Sequence, residues 1–274
     1  MKIYSWNEIN EIKDNLSSFS GTGVSVGSFD GFHQGHRLLI KGLVEKCRAN
    51  NFCSVVITFT RPLPSIKSGK AYAGDICTLN QKLKLLEEMG IDIVIIAEFT
   101  SGFASASGSE FLSGLINNLN MKFITEGVDF RCGYKGADGK EEITAFCRQN
   151  KIEYSFLEPV FYSENGKKVR ISSSIVRDLI SCGKLKPACD LLNRNYFVEI
   201  TKVMADSAVE QDEMLLFDRN LILQVLPPVG EYEVYILHDR NEKKFISIEI
   251  TSEFIKFEKN AINVEKDFSI CFAC

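Results

Sequence analysis

Residues Val26 to Ile40 read VGSFDGFHQGHRLLI and hold two of the chain's three histidines, His33 and His36, on a glycine-rich turn that runs straight into apolar sequence. A spacing of three at a helix start puts both imidazoles on one face. There the first backbone N–H groups are unpaired and the positive end of the helix dipole favours an anion. Gly35, between them, removes the side chain that would obstruct a phosphate approaching the backbone. Taken alone, so short a motif fits equally a loop histidine, a helix-start histidine and glycines that only form turns.

Other phosphate-binding devices fail on spacing. Neither SGKAY nor DGKEE completes G-x-x-x-x-G-K-[ST], and GTGVSV lacks the third glycine of a dinucleotide fingerprint. A second constellation lies far downstream in RISSSIVRDLISCGKLKPA, where Arg170, Ser174 and Arg177 fit R-x-x-x-[ST]-x-x-R and the hydroxyls of Ser172, Ser173 and Ser174 open a helix. A serine at a helix start is ordinarily a cap, and Arg177 by itself reads as a solvated helix residue. Two guanidiniums flanking the cap suit a polyphosphate.

The elements that must position these groups follow from hydrophobic period. Val24 to Gly27 (VSVG) reads as a buried strand. His36 to Asn50 carries Leu38, Leu39, Leu43, Val44 and Cys47 at helical spacing, and Cys53 to Phe59 (CSVVITF) is a second buried strand. The alternation continues with a helix over TLNQKLKLLEEMG, a strand over IDIVIIAEF, a helix around EFLSGLINNL, a strand over KFITE, a helix around EITAFCRQN and a strand over IEYSFLEPV. This predicts an α/β domain: a doubly wound parallel sheet covered on both faces, with its ligand beyond the carboxyl ends of the strands. From about Tyr196 the texture turns β-rich, in LILQVLPPVGEYEVYIL and KKFISIEI, which predicts a small second domain. SGFASASGSE reads as a polar loop.

Composition narrows the partners. With 45% hydrophobic residues the chain can fill a core, and a formal net charge of -4 gives no overall basic face for nucleic acid. No signal-peptide pattern opens the sequence, and no apolar run approaches the roughly 20 residues that span a bilayer. The expectation is a cytoplasmic protein with small-molecule partners and no nucleic acid or membrane. Nine scattered cysteines, an odd number mostly within apolar stretches, read as reduced, packed thiols. The terminal CFAC pair, Cys271 and Cys274, has a metal-ligand or redox spacing but no second pair to complete a site.

Five motifs occur in order: VGSFDGFHQGHRLLI, VVITFTRPLP, EGVDFRCGYKGADG, ISSSIVRDLISCGKL and ACDLLNRNYF. Together they make the stretch from about Val24 to Tyr196 resemble the FAD synthetase module of the prokaryotic bifunctional riboflavin kinase/FAD synthetases, within the HxGH nucleotidyltransferase superfamily. The resemblance implies a Rossmann-like domain over residues 1–195 that transfers AMP from ATP to the phosphate of FMN, yielding FAD and pyrophosphate with Mg²⁺. It implies catalytic roles for His33, His36, Ser174 and Arg177. Around ATP it implies Gly27, Ser28, Phe29, Asp30, Gly35, Arg170, Ser172 and Ser173, and on the flavin side Phe59, Pro62, Asp129 and Phe130. For Phe59 and Phe130, core packing is the competing reading. No carboxylate cluster suggests a protein cage for the metal, which would ride on the ATP phosphates.

The chain departs from the family pattern at Ser28, where asparagine is usual, at Leu63, where F-x-P-H-P has histidine, and at Cys132, where phenylalanine is usual. Residues 196–274 resemble a truncated riboflavin kinase barrel without the glycine-rich P-T-A-N segment, so FAD synthesis without riboflavin kinase activity is expected. Two alternatives stand beside this reading. One is another HxGH transferase with a pantetheine, cytidylyl or nicotinamide substrate, against which EGVDFRCG and the proline-rich flap after Phe59 argue. The other is a catalytically silent nucleotide-binding or interaction module, against which the retained histidines and arginines argue.

Overall fold

The structure is a computed structural model that describes residues 1–62, 72–98, 105–164, 166–238, 242–262 and 267–272. Contacts divide the chain into two compact units, one of Met1–Leu63 with Leu79–Arg170, the other of Pro64–Thr78 with Ile171–Cys274.

The first unit is built on a six-stranded sheet in the order β1-β4-β3-β2-β5-β6, every neighbouring pair parallel. The strands are β1 (Lys2–Ser5), β2 (Gly21–Val26), β3 (Phe52–Phe59), β4 (Ile93–Ala97), β5 (Met121–Gly127) and β6 (Glu153–Leu157). Strand alternation feeds a core on each face. Val55, Ile57 and Phe59 of β3 join Ile9, Ile12 and Leu16 of a 3-10 stretch (Trp6–Leu16), together with Leu112, Leu115 and Leu119 of one helix and Ile143 and Cys147 of another. Val56 turns the other way, to Leu39, Ile40, Leu43, Val44 and Cys47 of α1 (Gln34–Asn50) and Leu86 of α2 (Leu79–Glu88). Helices α3 (Gly108–Leu119) and α4 (Lys140–Gln149) complete the first face. The doubly wound α/β expectation holds, and the chain reverses direction across the sheet between β2 and β5.

Particular elements differ from the sequence reading. Leu38, expected on the buried face of α1, is 48% exposed, and Ile40 fills the core instead. Strand β1 was not expected; its KIYS is an exposed four-residue edge with no apolar run to announce it. The hairpin β7 (Phe161–Glu164) and β8 (Lys167–Arg170) is likewise additional. The polar-loop reading of SGFASASGSE falls partly on residues 101–104, outside the described residues, and beyond them Ser107 caps α3 by accepting from Glu110 N–H.

The second unit carries α5 (Ser173–Ser181), α6 (Leu185–Leu192) and a seven-stranded antiparallel sheet. Its strands are β9 (Tyr196–Ile200), β10 (Val209–Gln211), β11 (Met214–Asp218), β12 (Gly230–His238), β13 (Glu242–Ile250), β14 (Phe254–Glu258) and β15 (Phe268–Phe272), in the order β10-β11-β14-β13-β12-β15-β9, and a short α7 (Lys202–Asp206) follows β9. Phe217, Phe257 and Phe268 pack edge to face at its core. The segment 72–78 belongs here through pairing: Asp75 N–H donates to Leu223 O and Val225 N–H to Asp75 O, while Gln224 Nε2 donates to the carbonyls of Ile76 and Phe197. The contact boundary therefore falls before α5, whereas the change to β-rich texture comes at Tyr196.

Among the described residues seven cysteines are free thiols, six of them buried, whereas Cys189 is disulfide-bonded, a correction to the reading of reduced thiols throughout. Cys271 is buried in β15, and Cys274 lies outside the described residues. Among the described residues no helix is long and apolar enough to cross a membrane.

Candidate active site

Strand β2 ends at Val26, and the chain then makes a turn that few sequences can hold. Phe29, Gly31 and Phe32 all sit at positive φ, at 46°, 79° and 48°. A phenylalanine there is strained, by an amount on the order of 1–3 kcal/mol, and persists only if its surroundings over-determine it. They do: Phe29 and Phe32 are 2% and 0% exposed, and their rings flank His36 with centroid distances of 5.4 and 6.4 Å. The apolar side chains make the bend, and the bend delivers the histidines.

His33 occupies the N-cap of α1 in extended conformation and His36 its first turn. Their rings stack at 3.8 Å between centroids with 18° between planes. A Cβ on Gly35 would come 3.2 Å from His33 Cε1, so the glycine makes room for the imidazole as well as for an approaching ligand. His33 Nδ1 and His36 Nδ1 are both sealed from solvent without a hydrogen-bond partner. Burial first, and the Arg170 guanidinium second, lower the His33 pKa to about 4. Burial, then His33 and Lys82, hold His36 well below the ordinary imidazole value. Both rings are neutral near pH 7. His36 carries its single proton at lower cost on Nε2, because an Nδ1–H there would be a buried donor without an acceptor.

Two residues that the sequence reading passed over hold this turn. Lys82 of α2, 1% exposed, donates to Ser28 O at 3.0 Å, Phe59 O at 2.8 Å and Thr58 Oγ1 at 3.4 Å, tying the carboxyl ends of β2 and β3 together. Glu126 of β5, 2% exposed, accepts from Val26 N–H at 2.7 Å, and burial raises its pKa well above the usual carboxylate range.

The remaining expected residues divide between the units. In the first unit, Gly27, Ser28, Phe29, Asp30, His33, Gly35 and His36 form one continuous loop and helix start, with Asp30 2% exposed. Gly27 is required for space, since a Cβ would meet the Phe29 ring at 3.0 Å. Asp129 and Arg170 form an exposed ion pair at 2.6 Å. Phe130 closes a turn on Gly127 O and packs on the core. Phe59 is 5% exposed within that core, so packing accounts for it, and Pro62 is buried. Cys132 is buried beneath the same segment, pairs its backbone with Asp138, and has its thiol pushed up to about 12 by burial. Leu63 lies outside the described residues.

Ser172, Ser173, Ser174 and Arg177 belong to the second unit. Ser172 is the cap of α5, accepting from Ile175 N–H, while Ser174 is exposed. Arg177 is 8% exposed, with its guanidinium 5.2 Å from the Tyr72 ring centroid, so it is not the solvated helix residue that its position alone would suggest. Among the described residues no group of three histidines, cysteines or carboxylates converges to hold a metal.

A family model described as FAD synthetase matches residues 16–175. The bifunctional riboflavin kinase/FMN adenylyltransferase of Escherichia coli (strain K12) is 33% identical over 221 residues, which cover 79% of this chain and 68% of that protein. An FAD synthetase of Listeria monocytogenes serovar 1/2a (strain ATCC BAA-679 / EGD-e) is 27% identical over 211 residues, 77% of this chain and 79% of that one. The crystal structure of a macrolide-efflux protein from Streptococcus pneumoniae matches with a TM-score of 0.76 at 20% identity, over 99% of this chain and 90% of that one, which speaks to fold alone.

Proposed function

This chain belongs to the FAD synthetase family, and from that premise we propose that it is an FMN adenylyltransferase whose ATP phosphates are met by the His33 and His36 pair. A phosphate oxygen of FMN attacks the α-phosphorus of ATP, the bond from that phosphorus to the bridging oxygen of the β-phosphate breaks, and pyrophosphate leaves with FAD as the other product. No enzyme-bound intermediate is needed. The work is to hold two anions in line and to stabilise charge on the departing pyrophosphate.

The stacked histidines carry this reading. Two neutral imidazoles with sealed Nδ1 atoms offer Nε2–H donors at a helix start, beyond the carboxyl end of β2. Such donors are preorganised, and an anion bringing charge beside them also stabilises their protonated forms. Gly27, Ser28, Phe29, Asp30 and Gly35 shape the ATP side of the same loop. We assign Arg170, Ser172, Ser173, Ser174 and Arg177 to the phosphates, and Pro62, Asp129, Phe59 and Phe130 to the flavin side, with the two phenylalanines acting through packing. Mg²⁺ enters with ATP, where it would supply charge neutralisation to the phosphates. We assign the transferase to residues 1–195 and a separate β-rich domain to residues 196–274. The reaction uses ATP and FMN in the cytoplasm and needs neither nucleic acid nor membrane.

The test is incubation of the full chain with FMN and MgATP and resolution of products by chromatography. Formation of FAD and pyrophosphate is expected; adenylylation of a different acceptor with no FAD would sink the assignment.

A further inference from the structure

Strands β2 and β5 flank the point where the sheet reverses direction, and their ladder ends early, with Val24 opposite Ile124. On its other side β2 runs on, with Val26 opposite Ile57 and Gly27 N–H donating to Ile57 O at 3.0 Å. Successive residues of a central strand address opposite neighbours, so the next donor toward β5 is Val26 N–H. A side chain takes it: Glu126 Oε1 accepts at 2.7 Å, a buried bond between residues 100 apart in sequence.

A carboxyl is a costly occupant of this position. The strand segment Met121–Gly127 is buried from Phe123 to Glu126, and an apolar residue there would avoid the desolvation. What the carboxyl adds is reach. It extends the pairing of β2 one step past the end of the ladder, while Lys82 grips Ser28 O from the opposite flank. The turn from Val26 to Ser28 is thereby held by side chains from both sides, and the strained Phe29 to Phe32 bend with its histidine pair hangs directly from it.

We propose that Glu126 is a positioning residue for ATP, whose carboxyl oxygen fixes the Val26 to Ser28 turn and through it the placement of His33 and His36. The proposal rests on the adenylyltransferase reading for its kinetic consequence. Its structural part, the bond to Val26, stands independently.

Two variants of the full chain decide it. Glu126→Gln keeps an acceptor oxygen at nearly the same volume, and Glu126→Val removes it while suiting a buried parallel strand. With Glu126→Val, kcat/KM for ATP is expected to fall about tenfold or more while KM for FMN stays within about twofold of wild type, since sub-ångström misplacement is felt by the group being positioned. Glu126→Gln should restore the wild-type split. Amide exchange at Val26, read by NMR, should accelerate in Glu126→Val and not in Glu126→Gln. Wild-type kinetics in Glu126→Val, an equal loss in Glu126→Gln, or a loss explained wholly by a smaller folded fraction would each overturn the proposal. Failure of the wild-type chain to make FAD would instead fail the adenylyltransferase reading, and the exchange measurement would still report on the bond.

Discussion

His33 and His36 lie ring on ring, 3.8 Å apart, each with a sealed Nδ1. Such a stack is poor at holding two protons and well built to present two donors to one anion. In His36→Ala, kcat should fall about 10²- to 10³-fold, equivalent to roughly 3–4 kcal/mol of transition-state stabilisation. The lost ring contacts with Phe29 and Phe32 should cost only about 1–2 kcal/mol of folding stability. Steady-state turnover and a denaturant melt on the same preparation compare the two terms. Near-full turnover with a much earlier melt would make His36 a structural residue.

Stability should decline as the solution is acidified. The unfolded chain protonates a histidine near pH 6.5 and the folded one protonates His33 only near pH 4. Between those values the unfolded state holds more protons, so stability present above pH 6.5 is lost as pH falls toward 4. His36 acts in the same sense. His33→Asn should flatten the slope of urea midpoint against pH in this window. Binding of MgATP should draw protons from solution, measurable by calorimetry in buffers of different ionisation enthalpy; no proton uptake at pH 6 would mean that the phosphates do not meet these rings.

Much of this site was legible in the sequence because its cause is local. HQGH at a helix start puts two rings on one face whatever the rest of the chain does, and the apolar period of VSVG, His36–Asn50 and CSVVITF is enough for a βαβ unit. Glu126 and Lys82 were not legible. In KFITE the glutamate reads as the polar end of a strand, and in TLNQKLKLLEE the lysine reads as part of a solvated helix face. Their meaning comes from acceptors and donors 100 and up to 54 residues away. The division between the two units was hidden for the same reason, since residues 72–78 join the second unit through bonds to Leu223, Gln224 and Val225.

Lys82 provides a third measurement. Its ammonium lowers the His36 pKa and satisfies three oxygens at the ends of β2 and β3. Lys82→Met should raise the His36 pKa, seen as an upward shift of its imidazole titration by NMR. It should also destabilise the fold by about 2–3 kcal/mol through buried acceptors left bare. An unchanged titration would separate the lysine from the histidine pair.

The Asp129–Arg170 pair tests position against stability. Its side chains are 61% and 45% exposed, so the bond is worth about 0–1 kcal/mol to the fold. Arg170 nevertheless lowers the His33 pKa. Arg170→Met should therefore leave the melt nearly unchanged, raise the His33 pKa, and weaken MgATP binding. A melt that shifts while binding does not would assign the pair to the scaffold.

Riboflavin should not be phosphorylated by this chain. A kinase needs a second ATP site, and a phosphate cradle needs consecutive free backbone N–H groups on a loop that comes close to the ligand, usually through glycine. The segment after β9, TKVMADSAVEQDEMLLFDRN, contains no glycine. The structure fills it with the short helix α7 and the hairpin of β10 and β11, joined by Asp212 and Glu213 at φ 49° and 63°. That is a tight two-residue turn whose flanking strands pair with each other, and β11 is further engaged by β14. Where the family resemblance would put the kinase's phosphate loop, this chain has α7 and the hairpin, and the expectation is that FMN reaches it from a separate ATP-dependent phosphorylation of riboflavin. Incubation with riboflavin and MgATP should return riboflavin unchanged by chromatography, while FMN under the same conditions is converted to FAD. Conversion of riboflavin to FMN by a His33→Ala, His36→Ala double variant, in which adenylyl transfer is disabled, would show that the antiparallel sheet carries a kinase after all.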